Sequence, residues 1–220
     1  MNERISELHL ATPCRARCFL FNIEQITSKE VFEAKKILNA EDIQKAKKFI
    51  FTKDCNRSLI IYAMIKLSLG KILAITPSCV SFLRNPFGKP FIPGNPLHFN
   101  WSHSDSYAFL GVHPTRPIGV DIEKVRETIN LDGFLFPEEQ RWLSQLSETM
   151  SEKYCALWSA KEAYVKALGI GFSQSIPLLE MFKSQKNLLY FHAYLSGFSS
   201  SVVESYSNVV KNYKLATCLV

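Results

Sequence analysis

The spacing of apolar positions changes several times along the chain. Cys18 to Ile23 (CFLFNI) is a run of aromatic and aliphatic residues of strand type. From Ser28 to about Phe51 the apolar positions recur at helical spacing. A break near Asn39–Ala40 divides that stretch into two helices, with Ser28 as the first N-cap. Asp54 then opens an amphipathic helix, DCNRSLIIYAMIKLSLGKIL. Leu59, Tyr62, Ala63, Ile65 and Leu69 give it a broad apolar face, and Gly70 ends or interrupts it. Pro77 to Pro96 is rich in proline and reads as loop with one or two short strands. A hairpin follows, His98–His103 and Tyr107–Val112, turning at Ser104–Ser106, and Ile118–Glu123 makes a third strand. Helices are predicted over Pro137–Gln145 and Glu152–Leu168. The tail alternates like sheet in YFHAYLSGF, SVVESYS and KLATCLV. Helices interleaved with hairpins predict an α+β layered fold.

The 220 residues suffice for one large domain or two small ones, and 47% apolar with 21% charged residues is globular composition. No apolar run reaches the roughly 18 residues of a membrane span. The first residues lack a secretory pattern, so a cytoplasmic location is expected. Six cysteines without paired Cys/His clusters read as reduced structural thiols. The charge is uneven. Residues 1–115 hold 15 Lys and Arg against 9 Asp and Glu, whereas residues 116–220 hold 11 of each. A basic half suggests an anionic partner. No nucleic-acid-binding motif or stacking platform accompanies it, so nucleic acid is not the expected one.

Four segments carry chemistry. In the strand IGVDIEKV (residues 118–125), Ile118, Val120 and Ile122 face one way, while Gly119, Asp121 and Glu123 face the other. Two carboxylates on one face, beside a glycine expected to leave open space, suit either a hard cation or a solvated edge. In LWSAKEAYVKALGIGF (157–172), Trp158, Glu162 and Lys166 stand four apart on one helix face. That spacing suits a surface ion pair, or a carboxylate and a lysine directed at a metal–phosphate site. HFNWSHSDS (98–106) places Ser102 and His103 on opposite faces of a strand, which disfavours a nucleophile–base pair and suits phosphate binding better. The basic stretch KAKKFIFTKDCNRS (45–58), with Lys89 in NPFGKPFIP, is either a solvated face or an anion clamp.

Together, FGKPFIP, HFNWSHS, IGVDIEKV, FPEEQRWL and LWSAKEAYVKALGIGF, in that order, closely resemble the 4′-phosphopantetheinyl transferases of the larger, monomeric, surfactin-synthetase-activating type. The resemblance runs from about Glu41 to Phe172. It implies two similar α/β subdomains about a pseudo-twofold axis, residues 1–115 and 116–220, with coenzyme A between them. It implies Mg²⁺, with Mn²⁺ as an alternative, held by Asp121, Glu123 and Glu162. Lys166 would contact the pyrophosphate, Ser102 and His103 the coenzyme phosphates, and Lys45, Arg57 and Lys89 the 3′-phosphate or adenine end, with Ser58 where a threonine is common. Glu162 and Lys166 are the implied catalytic pair, Lys161 lies in the same motif, and Glu139 would assist the metal site. The implied partner is an apo acyl or peptidyl carrier protein, modified on a serine for fatty-acid, polyketide or peptide synthesis with release of 3′,5′-ADP. One departure stands out: a basic residue common three positions before Lys45 is here Asp42, which should weaken the grip on the 3′-phosphate.

Overall fold

A computed structural model describes residues 1–8, 16–127, 135–171, 179–185, 188–193, 201–206 and 210–220. The chain runs β1 (Ile5–Leu8), β2 (Arg17–Asn22), α1 (Ser28–Ile37), α2 (Ala40–Ala46), α3 (Thr52–Leu73), β3 (Leu83–Arg84), β4 (Pro90–Phe91), β5 (His98–Ser104) and β6 (Tyr107–His113). It continues β7 (Ile118–Lys124), α4 (Pro137–Gln145), α5 (Met150–Leu168), β8 (Leu179–Gln185), β9 (Leu188–Ala193), β10 (Ser201–Tyr206) and β11 (Tyr213–Leu219). Two antiparallel sheets result, ordered β1-β2-β6-β5 and β7-β11-β10-β9-β8, with β3 and β4 as a small separate hairpin.

Strand alternation sorts the side chains into layers. Phe19 and Phe21 of β2, with Ala108, Leu110 and Val112 of β6, point toward the helices and join Leu59, Ile60, Ala63 and Met64 of α3 in one core. Their neighbours Cys18, Leu20 and Phe109 point the other way. There they meet Ile118, Val120 and Ile122 of β7 and Leu215 of β11, so the two sheets share an apolar seam. On the far side α5 lays Leu157, Ala160, Ala163 and Tyr164 against the second sheet. The order is helices, sheet, sheet, helices: a mixed α/β fold with each sheet carrying its own helices. Burying one large apolar side chain in such a core is worth about 1.5–3 kcal/mol.

The helix ends follow local chemistry. α1 is capped by Thr27 rather than Ser28: Thr27 accepts from the Glu30 amide, and Glu30 returns a bond to the Thr27 amide. Asn39 and Asp42 do the same for α2, and Thr149 and Glu152 for α5. Each such cap is worth about 1 kcal/mol. α3 begins at Thr52, two residues before the expected Asp54, and passes through Gly70 to Leu73. It keeps Gly70 because a Cβ there would lie 2.9 Å from the Ile75 carbonyl oxygen. β1 and β8 were not anticipated. Among the described cysteines, Cys18, Cys155 and Cys218 are buried, Cys55 is half-buried and Cys79 is exposed. Cys14 and parts of the sheet-like tail lie outside the described residues. No helix among them is long and apolar enough to cross a membrane.

Candidate active site

The site forms where the edges of the two sheets meet. β5 ends the first sheet and β7 begins the second. Side chains bridge them. Asn100, Ser102 and Ser104, alternate residues of β5, reach across. Asn100 Oδ1 accepts from the Val120 amide at 3.0 Å. Ser102 Oγ donates to Asp121 Oδ1 at 2.7 Å, and Ser104 Oγ to Glu123 Oε2 at 3.0 Å. Ser104 also accepts from the Lys124 amide at 3.1 Å. Two serines thus hold two carboxylates in matching register.

α5 supplies the other wall because Gly119 lets it come close. A Cβ at Gly119 would sit 2.0 Å from the Ala163 carbonyl oxygen and 2.2 Å from the Ala167 nitrogen. The space expected beside the carboxylates is therefore filled by helix backbone, which is a correction to the sequence reading. The close approach brings Lys166 Nζ to 2.5 Å from Asp121 Oδ1, 2.9 Å from Glu162 Oε2 and 3.0 Å from Ser102 Oγ. The i,i+4 spacing of Glu162 and Lys166 does make an ion pair, but one turned inward onto β7.

Asp121, Glu123 and Glu162 offer oxygens within 4.8 Å of one another. Burial, with the neighbouring Asp121 charge, pushes Glu123 above the usual carboxylate range and Glu162 up to about 7. Burial opposes charge on Lys166 as well, but Asp121 and then Glu162 outweigh it and raise the lysine. When all three carboxylates are ionised, one ammonium leaves two negative charges, which a divalent cation would balance. Asp121 Oδ2 is buried without a hydrogen-bond partner. An orphaned carboxylate oxygen is costly unless it has a ligand. An all-oxygen donor set suits Mg²⁺ or Mn²⁺, so the residues present fit such an ion.

Beside this cluster opens a cleft of about 660 Å³, within the usual range for a small-molecule site. Lys45, Arg57, Ser58, Lys89, His103 and Lys166 all line it. The structure thus brings the sequence-selected cations and hydroxyl together at one cleft, with the carboxylates at its Lys166 end. Lys45 is paired with Glu41 at 2.7 Å and Arg57 with Asp54 at 3.7 Å, each on its own helix. His103 lies in β5, next to its last residue, as its strand position in the sequence implies. His103 is exposed at the cleft, and desolvation by the surrounding walls, then the charges of Arg57 and Lys166, hold it below the ordinary histidine value. Ser102 faces the carboxylates, away from the cleft lining.

Three of the residues singled out have partners within the protein. Lys89 Nζ donates to the carbonyls of Ala167 at 2.6 Å and Ile118 at 3.1 Å. It fastens α5 to β7 as well as lining the cleft, and burial lowers it to about 8. Asn85 adds a bond to the Gly169 carbonyl at 2.8 Å. Glu139 is no part of the carboxylate group. It is buried, accepts from the Phe136 amide at 3.1 Å and pairs with Lys161 at 2.8 Å. Asp42 points into the protein, where it pairs with the fully buried Lys66 at 2.5 Å. Ser104 was missed by the sequence reading. Its signal was the repeated spacing, since 102 and 104 match 121 and 123.

Residues 117–218 match the 4′-phosphopantetheinyl transferase superfamily, and residues 25–115 match the 4′-phosphopantetheinyl transferase N-terminal family. The chain is similar to a 4′-phosphopantetheinyl transferase of Bacillus subtilis, 34% identical over 140 residues, covering 62% of each chain. It is similar to 4′-phosphopantetheinyl transferase gsp of Aneurinibacillus migulanus, 33% identical over 137 residues, covering 61% of this chain and 57% of that one. It is also similar to 4′-phosphopantetheinyl transferase Sfp of Bacillus subtilis strain 168, 29% identical over 141 residues, covering 62% of each. The matched stretch spans about three fifths of the length of these curated relatives.

Proposed function

The chain belongs to the 4′-phosphopantetheinyl transferase superfamily, and from that premise we propose that it moves the 4′-phosphopantetheine arm of coenzyme A onto a serine of an apo acyl or peptidyl carrier protein, with Mg²⁺ and release of 3′,5′-ADP. The observation that carries the reading is the convergence of Asp121, Glu123 and Glu162, with one buried aspartate oxygen unpartnered, at the end of a cation-lined cleft. We place the boundary between the halves at residues 115 and 116, and take the working unit as a monomer.

Each residue then has a task. Asp121, Glu123 and Glu162 would hold the divalent ion, which when bound supplies positive charge at the pyrophosphate. Lys45, Arg57 and His103 bind the coenzyme phosphates along the cleft. Lys166 steadies the departing phosphate of 3′,5′-ADP. The carrier serine attacks the β-phosphorus, the bond to the nucleotide breaks, and Glu162 takes the hydroxyl proton. Little covalent chemistry is asked of the protein, so positioning and fixed charge supply most of the rate.

The test is release of 3′,5′-ADP from coenzyme A, followed by chromatography with an apo carrier protein and Mg²⁺. The reading expects release that needs the carrier and stops with EDTA. A folded protein that releases none with fatty-acid, polyketide or peptide-synthetase carriers overturns it.

A further inference from the structure

Residues 47–53, KKFIFTK, are all exposed. Phe49, Ile50 and Phe51 show 51%, 92% and 69% of their surface to solvent. Three adjacent large apolar side chains at such exposure form the kind of patch that marks an interaction surface. The segment is not a loose tail. The Lys48 and Phe49 amides bond back to Lys45 and Ala46 of α2, and the Phe51 carbonyl accepts from Asp54 and Cys55 of α3. A tip fixed at both ends holds its side chains out at little further entropic cost.

The tip sits at the mouth of the cleft. Phe49 lines it, and so does Phe87, itself 63% exposed, from the β3–β4 loop. Lys47, Lys48 and Lys53 surround the apolar residues, and no acidic residue occurs between positions 43 and 53. An apolar centre with a basic rim selects a partner with an apolar centre and an acidic rim. The transfer reading requires a macromolecule whose serine reaches the carboxylates, so its body must rest on the rim.

We propose that Ile50 and Phe51, with Lys47 and Lys48, form the docking surface for the acceptor: an acidic carrier protein with apolar side chains beside its serine. This rests on the transfer reading above. A lipid surface would also attract a basic apolar tip, but Phe49 both lines the cleft and stays half exposed, which makes the apolar surface continuous with the site, as a protein delivering a serine needs.

The test compares wild type with the Ile50→Asp/Phe51→Asp and Lys47→Glu/Lys48→Glu variants. The probe is a fluorescently labelled apo acyl carrier protein, whose binding is read by anisotropy and whose modification is read kinetically. Both variants should weaken carrier binding tenfold or more and lower kcat/KM for the carrier by a similar factor, with KM for coenzyme A within about twofold. The lysine variant should also flatten the salt dependence. Unfolding is checked by Tm, and the milder Ile50→Ser replaces the aspartate variant if that fails to fold. Because binding is measured without coenzyme, it reads the surface even where wild type transfers nothing, an outcome that counts against the transfer reading instead. Equal binding by wild type and variants, or no binding by wild type, overturns the docking surface. So does tip-dependent sedimentation with phosphatidylglycerol vesicles while carrier kinetics stay unchanged.

Discussion

Ser104 is not itself part of the cleft lining, yet it holds one of the three carboxylates in place. Ser104→Ala should raise the Mg²⁺ concentration needed to stabilise the protein by several-fold, read as Tm against Mg²⁺. Ser104→Thr, which keeps the hydroxyl, should restore most of it. A Mg²⁺ midpoint unchanged in Ser104→Ala would remove the serine from the account. Glu30 gives a second prediction, away from the site. Its bond from Arg4, with help from Thr27, holds its carboxyl down to about 2 from 4.5. A lowered folded pKa means the stabilisation is complete above about 4.5 and is lost as pH falls through 2. Glu30→Gln should therefore cost roughly 1 kcal/mol at pH 7, allowing for solvent screening. Its Tm difference from wild type should close as the pH is lowered through that window, whereas a constant difference would mean that packing, not charge, is responsible.

At the level of elements, what could be read from sequence was what lies within one element. β7 shows its alternation of Ile118, Val120 and Ile122 with Asp121 and Glu123, because a strand's period is two. α5 shows Trp158, Glu162 and Lys166 on one face for the equivalent helical reason. What joins the elements was hidden. The Ser102–Asp121 and Ser104–Glu123 bonds cross between edges of different sheets, and no local pattern encodes that register. Gly119 was read as open space because its alternative occupant, the backbone of α5, lies more than 40 positions away. β1 and β8 escaped because ISEL and LEMFKSQ contain no clear alternation of strand-forming residues. Gly119→Ala tests the helix–strand contact. Overpacking of this kind costs about 1–3 kcal/mol or more. The expected result is a lower Tm together with weakened Mg²⁺ stabilisation, because Lys166 and Glu162 are pushed off β7. A wild-type Tm would show that the contact tolerates a methyl group.

For the whole molecule, the site belongs to neither sheet alone. The first sheet gives Ser102, Ser104 and His103, the second gives Asp121 and Glu123, and α5 gives Glu162 and Lys166. Asn85 and Lys89 tie the β3–β4 loop to the end of α5. Lys89→Ala should consequently lower Tm as well as raise KM for coenzyme A, where a lysine that only gripped phosphate would leave Tm alone. The family resemblance supplied the candidate residues, and the fold explains why residues as distant as Lys45 and Lys166 line one cleft. The most direct measurement is the intact mass of an apo carrier protein after incubation with this protein, coenzyme A and Mg²⁺, beside the Asp121→Asn variant and a carrier whose target serine is alanine. The expected result is a gain of one phosphopantetheine on the serine carrier, on the order of 10²-fold slower with Asp121→Asn, and none on the alanine carrier. An unmodified serine carrier, or equal rates with Asp121→Asn, would contradict it.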